Sequence, residues 1–423
     1  MAQSIRSIQG TRDVTPRDSY KWQYVERVAL EVARTYGMKE LRLPTIEKTE
    51  LFVKSVGDTT DVVQKEMYTF EKGKESITLR PEATAGIVRA VLENNLLEEG
   101  LPVKVWTVLS CFRHERPQAG RLREFHQFDV EIFGGMNPTT DAEAIGIAHD
   151  FFTRLGLSGI ELKINSIGCP RCRPKYNQAL VDYYQNHYGK LCPTCKERLE
   201  KNPLRLLDCK EPSCAELSKD APIILDYLCE ECDTHFEGLK KRLNAIGLAF
   251  TINPYIVRGL DYYTKTVFEF VTTQIGAQGT VCGGGRYDLL TEQMGGPPTP
   301  AIGYGLGIER LLMLMEVGGC HFPEPPACDC YIGSMGEEEN VKALELTSAL
   351  RVQGFTVLCD IMDRSVKAQM KYANKSGARF ACILGGDELA KGEAVIKNMD
   401  TGEGEAVALT GEAFIEFLGK NKQ

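Results

Sequence analysis

Residues 112–134, FRHERPQAGRLREFHQFDVEIFG, constrain the fold more than any other stretch, because side-chain character alternates there while the middle is crowded with charge. Such a segment reads as strand, arginine-rich loop, strand. In the second arm Phe125, Gln127, Asp129 and Glu131 share one face, and His126, Phe128, Val130 and Ile132 share the other. One face is therefore written for burial. The opposite face offers an aromatic plate, an amide and two carboxylates, which suit a flat ring beside a small cationic group. Arg113, Arg116, Arg121 and Arg123 put permanent cations within reach of an anion such as a polyphosphate. The plain alternative, a charged hairpin at a sheet edge, does not need this Gln and Glu spacing.

A chain of 423 residues can bury the cores of two or three domains. The N-terminal MAQSIRSIQGTRD has no apolar core region, and no apolar run approaches the length of a membrane span, so a soluble cytoplasmic protein with no membrane association is expected. Fifteen cysteines in that setting imply reduced thiols serving as metal ligands or small core residues. A net charge of -8 gives no general attraction to nucleic acid, so such a partner needs local basic patches.

Along the chain, Trp22, Val25, Val32 and Tyr36 mark one face of a helix that begins near Asp18 and ends at Gly37. KELRLPTIE (39–47) reads as a strand whose Pro44 confines it to an edge, a bulge or a subunit contact. MYTF and SITLR read as a hairpin ending at Arg80, after which Pro81 starts a helix through Val91 with Glu82 and Thr84 in its first turn. Strand patterns over 103–134 and 257–307 joined by turns predict an antiparallel sheet covered by helices. Residues 169–240 lose strand periodicity and gain cysteines, which predicts an inserted helical module. PEPPA (323–327) reads as a linker, and the strands CDCYIG, FTVLC and FACILG, alternating with helices over 337–353 and 364–376, predict a small α/β domain.

VRGLDYYTKTVFEF (257–270) sets Arg258 and two tyrosines in strand-like sequence. A buried, unpaired guanidinium is costly, so Arg258 is expected to face a ligand anion; the alternative is an ion pair with Asp261 or Glu269. Gly303, Gly305 and Gly307 share one face of a strand and predict a bare slot for a flat base, followed by Glu309 and Arg310 at a helix start.

These segments together resemble the histidyl-tRNA synthetases, within class II of the aminoacyl-tRNA synthetases, over essentially the whole chain. Pro44 in ELRLPTIE resembles the motif 1 proline of the dimer interface, FRHE with the strand to Gly134 resembles motif 2, and GLGIERL resembles motif 3. LRPEAT, RGLDYY and GGGRYD resemble the segments specific to histidine enzymes.

The resemblance implies an α+β catalytic domain on an antiparallel sheet (1–320) with the cysteine-rich helical insertion at 169–240. It further implies a linker over 321–327 and a C-terminal α/β anticodon-binding domain over 328–423. The implied activity joins L-histidine to tRNA(His) with ATP and magnesium, in a homodimer. Glu82, Ala83, Thr84 and Gln127 would surround the ammonium group of histidine, with Ala83 standing where the family has glycine. Glu131, Tyr262 and Tyr263 would bond the imidazole. Such polar readout can discriminate by roughly four to five orders of magnitude, so editing is unnecessary. Phe125 would stack on adenine, and Arg113 and Arg258 would neutralise the α-phosphate. Glu115, Arg121 and Arg310 would fix the bent ATP and its magnesium. Arg116 and Gln118 would meet the acceptor end of the tRNA. In the C-terminal domain Arg364, Lys367, Lys371 and Lys375 form a basic helix face, for which a solvated surface is the alternative. A histidine-binding regulator without catalysis is disfavoured by Arg258 and by residues 328–423.

Cys169 and Cys172, Cys192 and Cys195, Cys209 and Cys214, and Cys229 and Cys232 form three CxxC pairs and one looser pair. This spacing suits a structural zinc in a module short of apolar residues, with reduced core cysteines as the alternative. Which four would bind one ion stays open at this level.

Overall fold

The computed structural model describes residues 5–57, 60–276, 279–323 and 328–421, and the chain separates into two compact units, 1–322 and 323–423. Of the expected linker, 324–327 lies outside the described residues. Among the described residues no helix is long and apolar enough to cross a membrane.

The first unit is built on an eight-stranded sheet among the described residues. Its order is Lys39–Glu40, Val103–Phe112, Glu124–Phe133, Ala301–Gly307, Thr280–Arg286, Thr264–Val271, Glu161–Ser166, Thr251–Ile252. All interior pairings are antiparallel and only the two edge pairings are parallel. Alternation decides which face is buried: Phe128, Val130 and Ile132 enter a core with Trp22, Val25 and Val32 of helix Ser19–Thr35 and with Ile145, Ala148 and Phe151 of helix Pro138–Arg154. The other face carries the site.

The structure amends several readings. The strand expected over 39–47 is two pieces in two sheets: Lys39–Glu40 pairs with Val103–Phe112, whereas Ile46–Lys48 joins a three-stranded sheet with the hairpin Tyr68–Lys72 and Glu75–Leu79. Between them the guanidinium of Arg80 donates to the carbonyls of Leu43 and Pro44, at 2.8 and 2.9 Å, where a continuous strand would need a ladder. The helix expected to start at Pro81 instead spans Thr84–Glu93, because the Glu82 side chain turns back to accept the N–H groups of Thr84 and Ala85, at 2.9 and 2.8 Å. Ala83, at the N-cap, has φ -97°, a conformation that alanine adopts without strain.

The cysteine-rich segment folds into helices Arg173–Gln185, Pro193–Lys201 and Pro212–Ser218 around a small core that includes Tyr176, Leu180, Tyr184 and Leu206. Its last part differs from a separate module. Helix Glu230–Ala245 sends Phe236, Leu239 and Leu243 into the core of the main sheet, so it belongs to the body of the first unit.

The second unit is a five-stranded mixed sheet in the order Val357–Cys359, Cys330–Ser334, Phe380–Leu384, Glu393–Asn398, Gly404–Ala408. The first three strands are parallel; Glu393–Asn398 runs antiparallel to Phe380–Leu384, and Gly404–Ala408 turns back antiparallel to it. Helices Glu337–Val352 and Val366–Lys375 stand where alternation placed them, and Gly411–Lys420 closes the core with Phe414 and Phe417.

Candidate active site

The site begins with register. Strand Ala301–Gly307 lies against Glu124–Phe133 so that Gly303, Gly305 and Gly307 stand opposite Glu131, Asp129 and Gln127. A Cβ on Gly303 would fall 1.5 Å from Glu131 Oε2, and one on Gly305 would fall 2.8 Å from Gln127 Nε2, whereas one on Gly307 would meet nothing within 4 Å. The glycine strip is therefore a bare slot only at its Gly307 end. Elsewhere it makes room for the acidic side chains of the neighbouring strand.

The floor holds three buried carboxylates. Glu131 accepts from Thr84 Oγ1 at 2.7 Å and from Tyr287 OH at 2.5 Å. Burial pushes its pKa up to about 8, against the pull of those two hydroxyls and with a further rise from the Glu82 charge. Glu82 is raised by burial too, against the bonds from Ala85 and Thr84 and the Arg113 charge, and Tyr262 OH reaches it at 3.5 Å. Asp129 is held well above its ordinary range by burial and by the charges of Glu131 and Glu82. Its Oδ2 is buried and makes no hydrogen bond among the described residues. Tyr262 and Tyr263 pack ring against ring with centroids 4.7 Å apart, and Gln127 Oε1 accepts from the Cys111 thiol at 3.1 Å. Three acids that all disfavour ionising alone form a receptor for a cation or for ring N–H groups.

Above the floor opens a cleft of about 450 Å³ lined by Arg113, Glu115, Arg121, Phe125, Gln127, Arg258 and Arg310. Here the sequence-predicted residues come together. Arg113 donates to Pro81 O at 2.8 Å and lies 5.3 Å from the centre of the Phe125 ring. Arg121 pairs with Glu115, and Arg310 donates to the carbonyls of Gly120 and Thr280, at 3.0 and 2.7 Å. These bonds aim each guanidinium, and the Glu115 carboxylate that pairs with Arg121 also stands 4.0 Å from Arg113.

Arg258 departs from the reading of a cation free for a ligand. It is paired with Glu269, the alternative weighed from sequence, yet it still lines the cleft, and its side chain is 20% exposed. Gly283 permits this, since a Cβ there would come 2.6 Å from both terminal guanidinium nitrogens. Arg116 and Gln118 are exposed on the turn outside the main cleft, where the backbones of Gln118 and Arg121 exchange hydrogen bonds, and they line a second opening with Lys65 and His114.

Several participants escaped sequence reasoning. Tyr287 caps Glu131, and Asp208 and Lys210 of the cysteine-rich segment line the cleft. Tyr287 stands in GGGRYD, one residue after an arginine, and that motif was the available signal. The arginine itself, Arg286, is fully buried and bridges Asp141 through both carboxylate oxygens, at 3.1 and 2.8 Å, while His235 approaches Asp141 at 3.0 Å. This network ties the strand carrying Tyr287 to the helices behind the sheet.

The eight cysteines of the four pairs fall into two groups, Cys169, Cys172, Cys229 and Cys232, and Cys192, Cys195, Cys209 and Cys214. In the second unit Lys367, Lys371 and Lys375 are exposed along one helix. Arg364 differs from its expected free exposure: it is bonded to Asp360 at 2.9 Å and stacks on Tyr372, because Asp360 caps the turn that precedes the helix.

With this geometry in view, the chain was compared with known proteins. Residues 68–316 match the tRNA synthetase class II core domain (G, H, P, S and T), and residues 329–421 match the anticodon binding domain. The histidine--tRNA ligase of Acetivibrio thermocellus is 52% identical over 95% of this chain and 96% of its own length, and that of Clostridium novyi is 51% identical over 96% and 97%. A crystal structure of apo S. aureus histidyl-tRNA synthetase superposes with a TM-score of 0.84 at 36% identity, covering 98% of this chain and 100% of that one. The deep acidic floor, the arginine-lined cleft above it and these full-length likenesses converge: the chain belongs to the histidine--tRNA ligase family of class II aminoacyl-tRNA synthetases.

Proposed function

We propose that the first unit activates L-histidine with ATP and passes it to tRNA(His). The observation that carries this reading is the juxtaposition of three buried, proton-retaining carboxylates with a cleft of arginines, which suits one ligand carrying a cationic amine, a ring with N–H groups and a reacting carboxylate. Glu82, Thr84 and Gln127, beside Ala83, hold the ammonium group. Glu131, assisted by Tyr287, and the Tyr262–Tyr263 pair read the imidazole. Phe125 and the open Gly307 end of the strip take adenine.

The histidine carboxylate oxygen attacks the α-phosphorus, the bond to the bridging oxygen breaks, and pyrophosphate leaves with the electron pair. Arg113 and Arg258 stabilise the charge on the α-phosphate as it develops, already oriented by Pro81 and Glu269. Arg121 and Arg310 hold the outer phosphates. The hard carboxylate oxygens of Glu115 and Glu269 on the cleft wall fit magnesium, which when bound with ATP screens the phosphate charge. The terminal adenosine of the tRNA then attacks the histidyl carbonyl through a ribose hydroxyl, and AMP leaves.

Arg116 and Gln118 meet the acceptor end, and the exposed lysines at 367, 371 and 375, with Arg364 at the helix start, face the anticodon. A homodimer with the Pro44 region at its interface, a cytoplasmic location and a structural zinc in the cysteine-rich segment complete the reading. Histidine-dependent ATP/pyrophosphate exchange against a panel of amino acids, followed by charging of tRNA(His), tests it. Exchange with another amino acid in preference to histidine, or none, would overturn it. The anticodon assignment is tested separately: Lys367→Glu with Lys371→Glu should raise KM for tRNA roughly thirtyfold, at about 1 kcal/mol for each of the two lost phosphate contacts, and leave exchange unchanged.

A further inference from the structure

The two cysteine groups carry an inference that the activity does not require. Within each group all four Sγ atoms lie within 4.8 Å of one another. The close approaches are 3.8 Å between Cys169 and Cys172, 3.9 Å between Cys169 and Cys229, and 3.9 Å between Cys192 and Cys209. Four thiolates around one zinc at about 2.3 Å stand about 3.8 Å apart at tetrahedral angles, whereas a disulfide brings sulfurs to about 2.05 Å. The eight cysteines are free, so the spacing is that of a shared cation.

The backbone is arranged for thiolates as well. Cys229 N–H donates to Cys172 Sγ at 3.1 Å, Cys192 N–H to Cys214 Sγ at 3.3 Å, and Cys195 N–H to Cys192 Sγ at 3.4 Å. A zinc with four thiolates carries a charge of about -2, and the cations Arg173 and Lys265 are placed where they feel Cys172 and Cys232 respectively. Four thiolates complete a tetrahedral shell in each group, as in a structural zinc site.

Each group abuts a different part of the active site. At the neck of the cysteine-rich segment, where residues 169–173 and 229–232 join the main sheet and leave residues 192–214 as a lobe, Arg173 donates to the carbonyl of Tyr263. Glu231, between Cys229 and Cys232, bonds Lys265 at 2.9 Å, and Lys265 exchanges backbone bonds with Ile167 and Gly168, at 2.7 and 2.8 Å. In the lobe, Cys209 lies between Asp208 and Lys210, both of which line the cleft. Arg205 donates to Arg258 O at 2.9 Å, and Asn202 to Asp261 at 3.1 Å.

We propose that the chain binds two zinc ions, one through Cys169, Cys172, Cys229 and Cys232 and one through Cys192, Cys195, Cys209 and Cys214, and that the second ion presents Lys210 to the nucleotide cleft. The first clamps the neck of the segment to the Tyr262–Lys265 strand entry; the second orders the lobe whose Lys210 supplies an additional cation for ATP phosphates. The placing of Lys210 rests on the nucleotide reading of the cleft, while the metal count does not.

Elemental analysis of the full chain, purified under reducing conditions, should find two zinc ions per chain. Cys172→Ser with Cys229→Ser, and separately Cys192→Ser with Cys209→Ser, should each lower the count to one. The lobe variant should raise KM for ATP roughly tenfold with KM for histidine unchanged, and Lys210→Ala should do the same while keeping both ions. Should a serine variant fail to fold, stepwise release of zinc from the unmodified chain by a thiol reagent, four thiols per ion in two steps, reads the same count. Zinc below two per chain, iron in its place, or disulfides among the eight cysteines would overturn the two sites. An unchanged ATP KM in Lys210→Ala would overturn its role, and two zinc ions in a chain without histidine-dependent exchange would sink the activity reading alone.

Discussion

The floor of the active site and its mouth are built in opposite ways. On the floor Glu82, Asp129 and Glu131 are withdrawn from water, hydroxyls and helix N–H groups meet Glu82 and Glu131, and all three acids are shifted towards holding protons. At the mouth stand four part-exposed arginines, Arg113 and Arg310 aimed by backbone carbonyls and Arg121 and Arg258 by the carboxylates of Glu115 and Glu269. The contrast teaches where each half does its work. Buried acids without a partner cation discriminate among ligands, since a ligand lacking the right donors leaves them desolvated and unmatched. Fixed guanidinium groups beside solvent gain most when negative charge accumulates, which happens in the transition state.

If that division holds, Arg258→Ala should lower histidine-dependent exchange by roughly 10² to 10³ fold in kcat with little change in KM for histidine. A variant that keeps kcat and loses only histidine affinity would place Arg258 with the floor. Glu131→Gln should do the reverse, weakening histidine binding by about 100-fold, the scale of a charged hydrogen bond, and it should narrow the margin over other amino acids. Equilibrium binding of histidine alone checks this, and undiminished affinity would remove Glu131 from ring recognition. Tyr287→Phe should cost less, about 1 kcal/mol or fivefold in histidine affinity, by removing one of the two hydroxyls on Glu131.

The smallest effect is a proton. With a folded pKa of about 8 against an ordinary 4.5, Glu131 contributes nothing to the pH dependence of stability below the lower value. Between the two the unfolded chain releases a proton that the folded chain keeps, so the unliganded protein loses stability as pH rises through that window. A ligand that requires the ionised carboxylate reverses this. Histidine binding near pH 7.5 should release up to one proton in the unmodified chain and none from this group in Glu131→Gln. Calorimetry in two buffers of different protonation enthalpy gives the count, and equal release from both chains would assign the proton elsewhere.

Much of this site was legible in the sequence because it lies on regular strands. Period-two alternation places Gln127, Asp129 and Glu131 on one face whatever the tertiary fold, and loops joined to that strand bring Arg113 and Arg121 to the same edge. The helical start at Thr84 was misjudged by three residues because a side chain, Glu82, supplied the cap, and propensity cannot foresee that a carboxylate will turn back. The expected strand over 39–47 failed for a related reason. Its carbonyls were taken by Arg80, some forty residues downstream.

The sequence by itself determined the antiparallel architecture, the face that carries the candidate site and the identity of most charged groups, since these follow from local periodicity and covalent order. Only the tertiary structure decided that Gly303 yields its space to Glu131, that Tyr287 caps that acid, and that Arg258 is held by Glu269. It also decided that eight cysteines divide into two fours drawn from distant pairs. Each of these is a contact between residues far apart in the chain, set by register and packing, and no spacing along a single strand or helix contains that information.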